Sequence, residues 1–387
     1  MTERLYLDWN ATAPLREEAR TAMLAAFDAS GNPSSVHGEG RAARRLVEQA
    51  RERVAALVGA EPGGVVFTSG GTEANVLALA PVHASGGEVL HRLLVSAIEH
   101  PSVLAGGRFP VEAVEYVPAT AHGHIDLAAL ERRLASLRER ALVSLMLANN
   151  ETGVVQPVPE AARLVHVAGG LLHVDAVQAF GRIACDIRAL GADFLTVSGH
   201  KLGGPKGVGA LIRRGADVPL PEPLLKGGGQ ERGLRAGTEN VAGIAGFGAA
   251  AAAARAGLAT DPARMAMLRE RLELGLRAAT PEVVIFGAAV ERLPNTTLFA
   301  LPGAKAETLV IAFDLEGIAV SSGAACSSGK VQASHVLAAM SVGRALAQGA
   351  IRVSLGPTTT ELDVERFVQA WIKLSAALLK RAEGIAA

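Results

Sequence analysis

Short apolar runs recur along the middle of this chain, and each breaks off sharply into small or polar residues. Val65-Val66-Phe67, Leu93-Leu94-Val95, Leu142 to Leu147, Leu171-Leu172 and Leu195-Thr196-Val197 all behave this way, as strands buried on both faces do. Strand, helix and strand alternate from about 65 to 212, so a mainly parallel sheet flanked by helices is expected. Upstream, Arg16 to Phe27 has helical spacing, and Arg41 to Val58 sets Leu46, Val54, Leu57 and Val58 among charges, the pattern of an amphipathic helix. From about 258 the pattern shifts to a charged helix, Ala263 to Arg277, then to short strands around Val283 to Phe286 and Asn295 to Ala300. An α/β fold in two parts is expected: a large domain over residues 15–257 and a smaller one joining 1–14 to 258–387. A chain of 387 residues has the length for both.

The residues that end the apolar runs carry the chemistry. Leu195 to Lys201 reads as a buried strand that delivers a lysine to its C-terminal edge, and Gly203, Gly204, Pro205, Gly207 and Gly209 let the backbone turn sharply afterwards. A lysine so placed is a satisfied charge, a phosphate contact or an amine nucleophile of depressed pKa. Leu171 to Asp175 is a second such strand, ending on an acid with Gln178 just beyond. Parallel strands ending side by side bring Asp175 and Lys201 to one rim, where open α/β sheets bind ligands. An acid opposite a lysine across a flat heterocycle suits pyridoxal phosphate: the lysine forms its Schiff base and the acid keeps its pyridine nitrogen protonated.

Other strand ends add to this rim. Val65 to Phe67 runs through Ser69-Gly70-Gly71 into a helix expected to start near Thr72, and free N–H groups there, with the threonine hydroxyl, suit a phosphate. The stretch has neither the Gly-Lys-Ser/Thr of a Walker loop nor a Gly-x-Gly-x-x-Gly dinucleotide turn. Glu99-His100-Pro101 closes the next strand; an imidazole there hydrogen-bonds the core, stacks on a flat cofactor or moves a proton near neutral pH. Asn150 follows the strand at 142–147, and Ser198 and His200 flank the lysine. His122 and His124 fall in a turn and are expected to be solvated.

Charge and cysteine content narrow the field. Thirty-eight basic and thirty-eight acidic residues cancel, so neither nucleic acid nor an anionic membrane is an expected partner. Met1 to Tyr6 shows no apolar signal region, and the Gly/Ala-rich stretch Val241 to Ala254 is too short to span a bilayer. A soluble cytoplasmic protein acting on a small molecule is expected. The two cysteines, Cys185 and Cys326, form no Cys-x-x-Cys pair, which argues against a disulfide framework or a metal site. Cys185 sits in an apolar context, as an inert packed thiol does. Cys326 sits among the small, polar residues Ser321 to Lys330, as an exposed loop nucleophile does. Arg352 falls inside the short strand Ala350 to Gly356, where a buried guanidinium needs a carboxylate from the protein or from a substrate.

Taken in order, Leu7-Asp8-x-Asn10-Ala11-Thr12, Gly31-Asn32-Pro33, Thr68 to Glu73, Asn149-Asn150-Glu151, His173 to Gln178, Ser198-Gly199-His200-Lys201, Arg235 to Asn240 and Ser321 to Ser328 resemble the cysteine desulfurases of the NifS and IscS type. These are pyridoxal-phosphate enzymes of the class V aminotransferase family with the fold type I architecture. The resemblance covers essentially the whole chain, and its specificity lies in the ordered set. It implies a homodimer with the active site near the subunit boundary. It implies that Lys201 is the internal aldimine lysine, Asp175 the partner of the pyridine nitrogen and Gln178 the donor to the ring hydroxyl. His100 is implied to stack on the ring; Gly71, Thr72, Ser198, Gly199 and His200 to hold the phosphate; and Thr238 to reach that phosphate from the other subunit. Asn32, Asn150 and Arg352 are implied to bind the substrate carboxylate, with Asn150 also at the cofactor, and Cys326 to accept sulfur. The implied reaction converts L-cysteine to L-alanine and leaves a persulfide on Cys326 for a sulfur acceptor such as an iron–sulfur scaffold protein. A selenocysteine lyase or another class V pyridoxal-phosphate enzyme is the alternative. Trp9 stands where the family commonly has a second asparagine, and the loop around Cys326 resembles that of the long-loop members.

Overall fold

The computed structural model describes residues 4–82, 89–323 and 334–385, with side chains as far as 377. The chain opens with β1 (Leu5–Tyr6), α1 (Glu17–Phe27) and α2 (Gly38–Leu57). Strand and helix then alternate as expected through β2 (Val65–Thr68), α3 (Gly71–Ala78), β3 (Arg92–Ser96), α4 (Pro101–Leu104), β4 (Val114–Val117), α5 (Leu127–Ser136), β5 (Ala141–Met146), α6 (Val158–Val167) and β6 (Leu171–Asp175), but β7 (Phe194–Ser198) and β8 (Gly209–Arg213) follow with no α-helix between these last three strands. These strands form one sheet of order β2-β8-β7-β6-β5-β3-β4. Only β8 is reversed, lying antiparallel to both β2 and β7, while the other pairings are parallel. Every residue of β5 and of β7 is buried, which is why these strands read as nearly continuous apolar runs, broken only by Ser144 in the one and by Thr196 and Ser198 in the other.

α7 (Val241–Gly257) packs against α1 and α2. The Gly/Ala composition of this stretch answers to close packing: a Cβ placed on Gly248 would lie 2.5 Å from Ala50 Cα. No single described helix is long and apolar enough to cross a membrane. Cys185 is buried in the main core beside Ile187, and burial pushes its thiol up to about 12, so it stays protonated and inert. His122 lies exposed in its turn, as expected, and His124 is half-buried there.

The rest of the chain comprises α8 (Asp261–Ala279), β9 (Val284–Ile285), β10 (Thr296–Ala300), α9 (Ala306–Leu315), β11 (Ile318–Ala319), β12 (Ser321–Ser322), α10 (His335–Ala339), α11 (Arg344–Ala347), β13 (Ile351–Ser354) and α12 (Glu361–Ile385). An antiparallel sheet of order β12-β13-β10-β9 is its frame. Its core holds Phe299, Phe313, Phe367 and Trp371, with Phe299 edge-on to Trp371 at 5.1 Å and Phe313 stacked on Phe367 at 5.1 Å. Burial of each such ring contributes about 1.5–3 kcal/mol.

The N-terminus belongs to this second core. Leu5 and Leu7 are buried in it, and β1 pairs in parallel with β11, Leu5 opposite Ile318. The segment then runs along β13, where Ser354 N donates to Leu7 O at 2.8 Å and Asn10 N donates to Ser354 Oγ at 2.9 Å. Trp9 is buried here against Gly356, where a Cβ would lie 2.0 Å from the indole ring. A glycine across from the indole thus makes room for the residue that departs from the family's wording. Residues 8–12 leave this sheet as a strap across the C-terminal ends of β6 and β7.

Candidate active site

The parallel strands end on a cleft of about 250 Å³ lined by Asn10, Gly71, Thr72, Asn75, His100, Ser102, Asn150, Asp175, Gln178, Ser198, His200, Lys201 and Arg352, among others. Most of the candidate residues therefore meet at one place, because each follows the end of a strand and all but β8 point the same way.

One wall is acidic. Asp175, the last residue of β6, accepts from Asn75 Nδ2 at 2.9 Å and from Val177 N at 3.0 Å. Asn75 Nδ2 also donates to Ser102 Oγ at 2.9 Å, and Ser102 Oγ lies 2.7 Å from His100 Nδ1. His100 Nδ1 accepts from Ser102 N at 3.2 Å as the cap of α4, which places the ring's own proton on Nε2. Burial holds this imidazole below its ordinary value, with Asp175 opposing and Lys201 and His335 reinforcing the shift; it is neutral near pH 7. Beneath the wall, Glu99 is fully buried, and burial together with the Asp175 charge raises its carboxyl well above the ordinary value. His173 lies under Asp175, held between Ser144 Oγ at 2.8 Å and Thr196 Oγ1 at 2.9 Å, and burial pushes it down to about 4.

The opposite wall is basic, and the strap builds it. Lys201 Nζ donates to Asn10 O at 2.6 Å and Ala11 O at 2.8 Å. Gln178 Nε2 donates to Asn10 O at 3.0 Å. Arg352 is 1% exposed; its Nη1 donates to Asn150 O and its Nη2 to Asp8 Oδ1, both at 2.9 Å, while its buried Nε has no partner. The carboxylate that a buried arginine in β13 requires is thus Asp8, whose other oxygen accepts from Ser321 Oγ at 3.2 Å.

At the end of the cleft nearest α3, Gly71, Thr72, Ser198 and His200 also line an adjoining recess with Ser69, Gly70, Lys206 and Gly207. The N-terminal N–H groups of α3 give this recess a positive end. Glu73 in the first turn accepts from Ser69 N at 2.8 Å and pairs with Arg235 at 3.0 Å; burial pushes its carboxyl up, and these partners outweigh that to hold it low. Burial, with Lys201, Lys206 and Arg182 nearby, pushes His200 down to about 4, so it serves this recess as a neutral ring. Gly209 on β8 lets the turn approach: a Cβ there would lie 2.7 Å from the Gly70 carbonyl carbon.

Some candidates lie elsewhere. Gly199 is buried behind the rim, its N donating to Val208 O at 3.0 Å. Asn32 is exposed on its own loop, and its Oδ1 accepts from Ser34 N at 2.8 Å. Thr238 is exposed outside the cleft, on a glycine-rich loop anchored by a buried fork in which Glu231 accepts from Arg51 Nη1 at 2.8 Å and Nη2 at 2.7 Å. That fork makes the loop more than a connector. Cys326 lies outside the described residues. Asn10, Asn75, Ser102 and Arg182 were not among the candidates, and the cleft depends on all four. Asn75 and Ser102 had a usable signal, since each sits in the first turns of a helix that leaves the rim.

The aminotransferase class-V family profile matches residues 5–367 of the chain. The chain belongs to the class V aminotransferases. It is 46% identical over 375 residues to the cysteine desulfurase of Cereibacter sphaeroides, covering 95% of this chain and 94% of that one. It is 41% identical to an IscS-like cysteine desulfurase of Mycobacterium tuberculosis over 93% of both chains. Among solved structures it resembles the NifS-like protein of Rickettsia africae with a TM-score of 0.87 and 36% identity, covering 97% of this chain and all of that one.

The cofactor of this class V aminotransferase is pyridoxal 5'-phosphate, and the residues present fit it. A primary amine and a buried carboxylate sit on opposite walls, a neutral imidazole lies between strand ends, and a helix N-terminus closes one end of the cleft. Asp175, already oriented by two donors, has the chemistry to hold a protonated pyridine nitrogen, and Lys201 the chemistry to carry the aldehyde carbon. Gly71, Thr72, Ser198 and His200 would hold the phosphate.

Proposed function

We infer that this enzyme is a cysteine desulfurase: it takes sulfur from L-cysteine, releases L-alanine and leaves a persulfide on Cys326. The observation that carries the reading is a single cleft joining the Lys201 amine, the Asp175 carboxylate and the Arg352 guanidinium, in a chain similar over nearly its full length to cysteine desulfurases.

Bound pyridoxal phosphate supplies the electron sink that lets the substrate lose its Cα proton and its sulfur. The chain supplies the rest. Arg352, held by Asp8 and Asn150 O, lines the cleft and presents its guanidinium to the substrate carboxylate. Asn150 adds an amide on the same side. Asp175 keeps positive charge on the pyridine nitrogen. Lys201, once off the Asn10 and Ala11 carbonyls, moves the proton at Cα, and His100 stands neutral beside it with its proton on Nε2. Cys326 then attacks the substrate sulfur: the S–S bond forms as the Cβ–S bond breaks, and the electron pair left on carbon takes up a proton on the way to alanine. A free thiol has a pKa of about 8.5, so only a few per cent is the reactive thiolate at pH 7 without help.

The working unit is a homodimer in which Thr238 completes the phosphate site of the other subunit. Its exposed position on an anchored loop supports this, as do the exposed Leu24 and Phe27 on α1 and Val36 just beyond it. The persulfide passes to an acceptor protein of the iron–sulfur scaffold kind in the cytoplasm, where thiols stay reduced. Anaerobic peptide mass spectrometry after incubation of the pyridoxal-phosphate enzyme with L-cysteine tests the chemistry. One added sulfur on the Cys326 peptide, with alanine formed and both lost in Cys326→Ala, is the expected result. Alanine that forms without added sulfur and survives the substitution overturns it.

A further inference from the structure

Arg182 is a buried guanidinium whose contacts are all with neutral oxygens. Nη1 donates to Asn10 Oδ1 at 2.8 Å, Gln178 O at 3.1 Å and Gln178 Oε1 at 2.5 Å; Nη2 donates to Trp9 O at 3.2 Å and Lys201 O at 3.3 Å. Among the described residues it enters no ion pair, and it is 7% exposed. A buried cation ordinarily has a carboxylate beside it, because desolvation of an unpaired charge costs several kcal/mol. Five acceptors on three segments replace that carboxylate here, so the positive charge is held in place without being cancelled.

The contacts also settle the orientation of Gln178. A guanidinium only donates, so the Gln178 atom facing Arg182 is the oxygen and the amide nitrogen points away. Nε2 gives one hydrogen to Asn10 O at 3.0 Å, and its second remains on the side that lines the cleft. Without Arg182 the amide could turn over and present an acceptor to the cleft instead.

We propose that Arg182 is a positioning residue for the cofactor: it fixes Gln178 as a donor toward the ring oxygen, and its uncancelled charge favours negative charge on that oxygen. The proposal rests on the pyridoxal-phosphate reading of the cleft. The charged and titratable groups on this side are Lys201, His200 and Arg352, all bases; Asp8 is engaged with Arg352 and Ser321, and Asp175 stands on the opposite wall. Burial and the Arg352 charge push the Arg182 guanidinium down to about 9, still ionised near neutral pH.

A positive charge so close disfavours a proton on the Schiff base that Lys201 makes with the cofactor. The pH titration of the visible absorbance of the purified holoenzyme reads this directly. Arg182→Gln, which keeps polar contacts and removes the charge, is expected to raise the midpoint by about one pH unit, a tenfold change in proton affinity. Arg182→Lys, which keeps the charge, is expected to leave the midpoint within about 0.3 unit while raising KM for L-cysteine through the loosened amide. A folded Arg182→Gln enzyme with the wild-type midpoint overturns the proposal, since a purely structural role moves stability alone. Should that variant fail to fold, Arg182→Met decides, because it fills the same buried space without the charge: a raised midpoint supports the proposal and an unmoved one overturns it. A wild-type protein that acquires no visible band with pyridoxal phosphate would overturn the cofactor reading itself, a separate outcome.

Discussion

Asp175 and Arg182 are both buried charged groups beside the cleft, but they are held by different parts of the molecule. Asp175 ends a strand of the large sheet, and its donors, Asn75 and Val177, belong to the same body. The basic side draws on both bodies: Arg182 reaches the strap at Trp9 and Asn10, and Arg352 comes from β13 near the end of the chain to meet Asp8 near its beginning. The acidic wall follows from the topology of one sheet, whereas the basic wall exists only when the N-terminal strap and the second core are docked. Damage to the second core should therefore reach catalysis through the basic wall, in substrate affinity, and leave the acidic wall intact.

The largest expected effect comes from the acidic wall. Asp175→Asn keeps an acceptor for the Val177 N–H and removes the charge that supports a protonated pyridine nitrogen, so kcat should fall by about 10²–10³ with little change in Tm. Steady-state kinetics and a melting curve together check this. A fall in Tm matching the loss of activity would mean that Asp175 supports the fold more than the ring.

A second test lies beside the basic wall. Glu151 is buried in the turn that presents Asn150, accepts from Ser334 Oγ, and is raised by burial from 4.5 to about 7 against the opposing pull of Ser334 and Arg352. Between those two values the unfolded chain has released the proton and the native state still holds it, so stability falls as pH rises. Below pH 4.5 both states are protonated and the contribution is fully present; above about 7 both are ionised and the loss is complete. The difference is on the order of 3 kcal/mol. Glu151→Gln, which can still accept from Ser334, should gain stability relative to the wild type as pH rises from about 5 to 7, a comparison in which the opposite contributions of His173 and His200 cancel; a difference that does not change with pH would place the effect on another group.

The smallest effect sharpens the comparison most. Gly356→Ala pushes a methyl into Trp9, between Asp8 and Asn10 on the strap. It should cost about 1–3 kcal/mol in stability and raise KM for L-cysteine with little change in the visible absorbance of the bound cofactor. An equal loss in absorbance would show that the two walls are not separable.

Much of the site was legible because parallel strands impose a rule: whatever follows the apolar run arrives at the rim. Thr72, His100, Asn150, Asp175, Gln178, Ser198, His200 and Lys201 were readable for that reason, and all eight line the cleft. Arg352 was readable as a buried arginine needing a carboxylate, but not as the partner of Asp8. Arg182 was not readable at all, since it follows a turn in a run that looks like plain packing and its acceptors are mostly backbone carbonyls and amides of distant segments.

By itself the sequence determined the alternation of strands and helices, the buried strands, the rim residues and the family, because hydrophobic period, chain-order motifs and strand-end chemistry are local properties. Tertiary structure alone decided that residues 8–12 cross the strand ends, that Asp8 meets Arg352, that Asn10 joins Lys201, Gln178 and Arg182, and that Glu231 anchors the loop of Thr238 to Arg51. The contacts of the strap depend on how the two cores meet, and Arg51 finds Glu231 across 180 positions of the chain; partners so distant in sequence, several of them backbone oxygens that every residue carries, leave no local pattern to announce them.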